Sequence, residues 1–211
     1  MRLKSESFQN GGAIPGEFAF AVIDPHSHVA LSKNRNPHFA WSDVPAGTKS
    51  FALICQDPDV PSRGDDVNKE GKEVPASLPR VDFYHWLLWD IPASTAEIAA
   101  GSQSDGVTPH GKKGPDAPDR FRHGINNYTD WFAGDEGMKG DYYGYDGPCP
   151  PWNDSIVHHY YFTLYALNVD RLDVKGGPTA ENVHAALKAH VLAEAKWMGT
   201  YSLNPRIAGA K

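Results

Sequence analysis

The 211-residue sequence has no apolar run approaching the roughly 20 residues that a membrane-spanning helix needs. Its opening residues, Met1-Arg2-Leu3-Lys4-Ser5-Glu6-Ser7, hold no apolar block of the secretory type. A soluble, cytoplasmic protein is the expectation. Cysteine is scarce: Cys55 and Cys149 are the only two. That excludes a disulfide framework and, without an export signal, favours free thiols. Positive charge is also in short supply, with 20 Lys and Arg against 26 Asp and Glu and a net charge of −6. A nucleic-acid binder usually presents a basic surface, so none is expected, and Lys112-Lys113 reads as solvated loop charge. No repeat, heptad run or linker divides the chain, so residues 1–211 are expected to form one domain.

Proline and glycine are plentiful, and they punctuate short β-branched and aromatic runs. Residues 1–16 read as an N-terminal arm or turn. Strands are expected at 18–23, 28–31, 39–41, 50–56, 83–91 and 156–167. The run Ser50-Phe51-Ala52-Leu53-Ile54-Cys55-Gln56 has the length and continuity of a buried central strand. Pro58 and Pro61 then predict a stiff turn leaving it, and residues 62–79 a polar surface excursion. On the strand at 83–91, strict alternation would put Phe83, His85, Leu87 and Trp89 on one face. Residues 101–146 hold many Gly, Pro, Asp and Asn, the profile of a long functional loop. Its aromatics Tyr128, Trp131, Phe132, Tyr142, Tyr143 and Tyr145 argue that it folds back onto the body. Thr179 to Met198 reads as the one long helix, with Thr179 as N-cap, Val183, Leu187, Val191 and Ala195 at four-residue intervals, and Gly199 as the stop.

The densest signal lies at Asp146-Gly147-Pro148-Cys149-Pro150-Pro151-Trp152-Asn153-Asp154, which runs into Ile156-Val157-His158-His159-Tyr160. Three prolines in four residues forbid a helix and build a rigid loop. The strand after it puts His158 and Tyr160 on one face, next to that loop. Asp57 and Asp59, and then His85, offer polar groups at the ends of two other expected strands. Each has a plain structural alternative. Asp-x-Asp often bonds its own backbone amides, His85 fits a satisfied core histidine, and His158 with Tyr160 fits cross-strand packing. If the three strands are neighbours, the groups converge on one small polar pocket.

Asp57-Pro58-Asp59-Val60-Pro61, His85-Trp86-Leu87 and Gly147-Pro148 with His158-His159-Tyr160 resemble the two signature regions of the phosphatidylethanolamine-binding proteins. Asn36-Pro37-His38, Gly124-Ile125-Asn126-Asn127-Tyr128, the 143–154 stretch and Gly199-Thr200-Tyr201-Ser202-Leu203 are similar to the bacterial Raf-kinase-inhibitor-like branch. The resemblance spans roughly residues 15 to 205. It implies a mainly β protein: a sandwich-like core of antiparallel sheets with peripheral helices. It also implies a non-enzymatic binding protein whose cavity takes a small anion such as phosphate, acetate or a phosphoryl head group. Carried over by residue, the site would be Asp57, Asp59, Pro61, His85, Gly147, Pro148, His158 and Tyr160, with no cofactor. Family precedent adds a kinase- or protease-inhibitor-like role and a homodimer, and the long 101–146 loop offers a contact surface for a protein partner. Two departures limit the transfer: His159 stands where animal members have Arg, and residues 101–146 replace a much shorter segment. The competing reading is a metal-dependent hydrolase using Asp57, Asp59, His85 and His158.

Overall fold

In the computed structural model, which describes residues 1–208, the strands in chain order are β1 (Arg2–Lys4), β2 (Ala21–Asp24), β3 (His28–Leu31), β4 (Phe39–Ser42), β5 (Ser50–Pro61), β6 (Arg80–Pro92), β7 (Glu97–Ile98), β8 (Arg122–His123), β9 (His158–Leu167) and β10 (Val191–Tyr201). The helices are α1 (Tyr128–Trp131) and α2 (Ala180–Leu187). The apolar β5 lies at the centre of a five-stranded antiparallel sheet of order β10-β9-β5-β6-β8. Buried on both faces, it needs no polar alternation, which is why its sequence reads as a continuous apolar run. A second antiparallel sheet, β1-β4-β7, packs on one face, and β2 pairs with β3 as a hairpin.

Between the two sheets, Leu53, Cys55, Trp86, Leu88, Phe162 and Leu164 meet Leu3, Phe39, Trp41 and Ile98. The opposite face carries Ala52, Ile54, Leu87, Trp89 and Leu167, and α2 covers it with Val183 and Leu187. Full burial of each large aliphatic or aromatic side chain contributes about 1.5–3 kcal/mol. The molecule is mainly β and antiparallel, with helices at the periphery.

Four local expectations are corrected. The N-terminal arm is part of the core: Leu3, Phe8 and Ile14 are buried, and β1 pairs with β4. A three-residue strand is too short to leave a pattern in sequence. The long helix is two elements, since α2 stops at Leu187 and Val191–Tyr201 is a strand paired along β9. Ala193, Ala195, Trp197 and Tyr201 also alternate, and pairing with β9 selects that two-residue period over the helical one. Thr179 still caps the helix, its Oγ1 accepting from the Asn182 amide at 3.4 Å. Gly199 lies inside β10, where a Cβ would come within 2.5 Å of Ile14 and 2.7 Å of Phe8.

The remaining two corrections shape the site. β5 does not end at Pro58; it runs to Pro61 through a bulge, with Asp57 opposite Phe83 and Val60 opposite Val81. The extra residue accommodates the proline. β6 has its own bulge, since Cys55 pairs with Trp86 and Gln56 with Tyr84, leaving His85 extra. The side-chain alternation therefore breaks, and Leu87 and Trp89 face α2 while His85 faces Tyr160, with ring centroids 5.2 Å apart. Segment 101–146 does fold back: Tyr128, Tyr142 and Tyr145 are buried, while Trp131 is half exposed.

Candidate ligand-binding site

Where β5, β6 and β9 adjoin, their ends and the proline-rich loop enclose a cavity of about 270 Å³. Asp57, His85, His158 and Tyr160 line it, with Phe83, Tyr128, Cys149, Pro150 and Pro151 as walls. Pro61, Ser62, Arg63, Val67 and Asn68 form another side. That side is pinned by Asn153, which donates from Nδ2 to the carbonyls of Asp66, Lys69 and Lys72 and accepts from the Asn68 amide. The polar excursion at 62–79 thus supplies part of the wall.

Burial and hydrogen bonds fix the protonation of the two histidines differently. His158 is fully buried, and its Nδ1 lies 2.7 Å from Asp57 Oδ2 while its Nε2 lies 3.1 Å from Asp154 Oδ2. Burial works against the charged ring, but the bonds to Asp154 and Asp57 and their charges outweigh it and raise the pKa to about 9. His158 is an imidazolium with both N–H groups spent on carboxylates. Arg80 closes the row, donating from Nη1 to Asp154 Oδ2 at 2.6 Å and from Nη2 to Oδ1 at 3.0 Å. In Asp57–His158–Asp154–Arg80 the charges cancel. Desolvation pushes Asp154 up, yet these bonds bring its pKa below the ordinary value.

His85 is the opposite case. Its ring is buried, and desolvation lowers its pKa despite the nearby Asp57 charge and the bond to the Asp146 carbonyl. Its Nδ1 lies 2.8 Å from that carbonyl oxygen, which can only accept, so Nδ1 carries the hydrogen. His85 Nε2 and the Tyr160 hydroxyl are both buried without a hydrogen-bond partner. Burial pushes Tyr160 well above its ordinary pKa, and the Asp57 charge adds to the effect, so the phenol keeps its hydrogen. Unpartnered buried polar groups are uncommon in folded proteins, and here two line one cavity.

The structure brings together Asp57, Pro61, His85, His158 and Tyr160. It does not bring Asp59, Gly147 or Pro148 to the cavity wall. The β5 bulge turns Asp59 outward, where its Oδ2 accepts from the His159 amide and ring Nδ1, both at 2.8 Å. The Asp59 amide donates to Asp57 Oδ1, which is the turn bond open to any Asp-x-Asp. The Gly147 amide is spent on Asn34 Oδ1 at 2.8 Å, and its carbonyl accepts from the Tyr128 hydroxyl. Glycine is required there because a Cβ would lie 2.1 Å from the Phe18 carbonyl oxygen. The Pro148 carbonyl holds the Phe20 amide. Asp154 and Arg80 were not anticipated as partners of His158. Asp154 precedes it by four residues in an irregular loop, where spacing carries no directional meaning.

Both cysteines are free, and burial pushes the thiol of Cys149 up to about 12, which leaves it a poor nucleophile. Among the described residues, no helix is long and apolar enough to cross a membrane, and no group of three His, Cys, Asp or Glu side chains is arranged to hold a metal ion.

The sequence pattern of the family described as phosphatidylethanolamine-binding protein matches residues 4–202. A UPF0098 protein of Methanothermobacter thermautotrophicus is 31% identical over 201 residues, 95% of this chain and 98% of that one. The UPF0098 protein YbhB of Escherichia coli is 30% identical, covering 96% and 100%. The crystal structure of E. coli YbcL, described as a new member of the mammalian PEBP family, superposes with a TM-score of 0.66 at 25% identity, covering 95% and 97%. With a match to the family pattern over nearly its whole length and relatives at 30% identity or more, this chain belongs to the phosphatidylethanolamine-binding protein family.

Proposed function

We propose that the protein is a non-enzymatic binding protein whose cavity holds a small oxyanion, a phosphate or the phosphoryl head group of a larger molecule. The observation that carries this reading is the buried Tyr160 hydroxyl, which stands close to Asp57 yet makes no well-formed hydrogen bond, beside an equally unpartnered His85 Nε2. An oxyanion supplies the missing acceptor. The cancelled charges of the Asp57–His158–Asp154–Arg80 row prevent the nearby carboxylates from repelling it outright. A volume of about 270 Å³ suits a head group rather than a whole lipid. Family membership supports binding over catalysis. The hydrolase alternative loses support because Asp59 faces His159 and both nitrogens of His158 are engaged with carboxylates.

Calorimetric titration with inorganic phosphate tests the reading. Saturable binding is expected, and Tyr160→Phe should weaken it about tenfold or more, the value of one charge-assisted hydrogen bond. Unchanged phosphate affinity in a folded Tyr160→Phe variant would refute the assignment.

A further inference from the structure

The spare hydrogen-bonding capacity of the cavity is lopsided. His85 Nδ1 is committed to the Asp146 carbonyl as a donor, so a neutral ring presents a bare lone pair at Nε2. Beside it on β5, the Asp57 carboxylate can only accept; it already receives the Asp59 amide and His158 Nδ1–H and has lone pairs to spare. From β9, His158 spends both hydrogens elsewhere, and the Tyr160 O–H, close to Asp57 but in no well-formed hydrogen bond with it, is the donor available to a ligand. From α1, the Tyr128 hydroxyl donates to the Gly147 carbonyl. The wall therefore presents two acceptors and one donor to whatever enters.

An oxyanion without a hydrogen would satisfy Tyr160 but set its own lone pairs against His85 Nε2 and Asp57. An oxyanion bearing one hydrogen satisfies both sides. Phosphate keeps a hydrogen at neutral pH, and a phosphomonoester, whose second pKa is near 6, regains one readily. Sulfate and phosphodiesters do neither. Resting on the anion reading above, we infer that the cavity selects hydrogen-bearing oxyanions, inorganic phosphate and phosphomonoesters, over sulfate and phosphodiesters, with the ligand's hydrogen shared with His85 Nε2. A monoester that arrives as a dianion takes up one proton from solvent on binding. That proton lies between a phosphoryl oxygen and Nε2, and no covalent bond is made or broken. The preference runs against an intact diester lipid as the occupant of this chain's cavity.

The test titrates the wild-type protein with inorganic phosphate, phosphorylethanolamine (a monoester), glycerophosphorylethanolamine (a diester) and sulfate. Each titration is repeated in two buffers of different ionisation enthalpy to count protons. Phosphate and the monoester should bind at least about tenfold more tightly than sulfate and the diester, the cost of setting unpaired acceptors against each other. The monoester should show net proton uptake above its second pKa, with affinity falling as pH rises. His85→Gln places an amide that both donates and accepts, and should narrow the phosphate-to-sulfate ratio to within about threefold. Sulfate or diester binding as tight as phosphate, monoester binding without proton uptake, or an unaltered ratio in folded His85→Gln would each overturn the inference. Failure of all four ligands to bind would refute the anion reading itself, and is distinct from binding all four alike, which refutes only the selectivity.

Discussion

Raising the pH from about 6.5 to about 9 should destabilise the fold through one residue, His158. In the unfolded chain its imidazole titrates near 6.5, whereas in the fold Asp57 and Asp154 hold the proton to about 9. Below 6.5 both states are protonated, and the stabilisation from the two ion-paired bonds is fully present. Between 6.5 and 9 the folded state retains a proton that the unfolded state releases, so stability falls as pH rises and the contribution is lost above 9. At about 1.36 kcal/mol per pKa unit, the change is on the order of 3 kcal/mol. That is a sizeable share of the roughly 5–15 kcal/mol typical of a domain. Little else interferes in the window. His85 and His123 have lowered values and are largely neutral in both states above about pH 7, and the buried phenols act only at higher pH. The buried thiols of Cys55 and Cys149, which ionise in the unfolded chain at about 8.5, steepen the fall only at the top of the window, so the slope between about pH 7 and 8 reports His158. Urea denaturation at several pH values measures the slope, and the His158 ring resonances report its titration directly. Stability that is flat or rising between pH 7 and 9, or a His158 ring titrating near 6.5, would refute the account. Asp154→Asn removes one of the two carboxylates and should shift the decline to lower pH.

On the acid side the sign reverses at His123, which burial first, and the Lys112 charge second, lower to about 3. The unfolded chain binds a proton below 6.5 that the fold refuses, so stability should fall as pH drops from 6.5 towards 3, and His123→Asn should flatten that limb in the same denaturation series. Gly199→Ala drives a methyl into Ile14 and Phe8 and should cost about 1–3 kcal/mol by urea denaturation; a neutral result would mean that the N-terminal segment does not lie on β10. Thr179→Ala removes the cap of α2 and should cost about 1 kcal/mol by the same measurement.

The strands at 50–56 and 83–91, and the one that begins beside His158, were legible because runs of β-branched and aromatic residues bounded by Pro and Gly have few other solutions. The rigidity of the Pro148–Pro151 loop followed from proline's fixed φ and missing donor. The long helix misled because four-residue and two-residue spacings coexist in Val191–Tyr201, and only the exposed hydrogen-bonding edge of β9 chooses between them. Local sequence holds no record of a partner strand. The site divides in the same way. The titratable groups of the cavity were named in sequence, since Asp57, His85, His158 and Tyr160 fall at the ends of adjacent strands. Their roles were not, because roles depend on bulges and bonds made across distant segments. One extra residue in β5 sends Asp59 to His159, one extra in β6 turns His85 inward, and Asp154 with Arg80 claims His158. Sequence alone determined the antiparallel β character and which chemical groups were available. Tertiary structure decided which of them keep a free valence, because a hydrogen bond is directional and is settled only when both partners are in place.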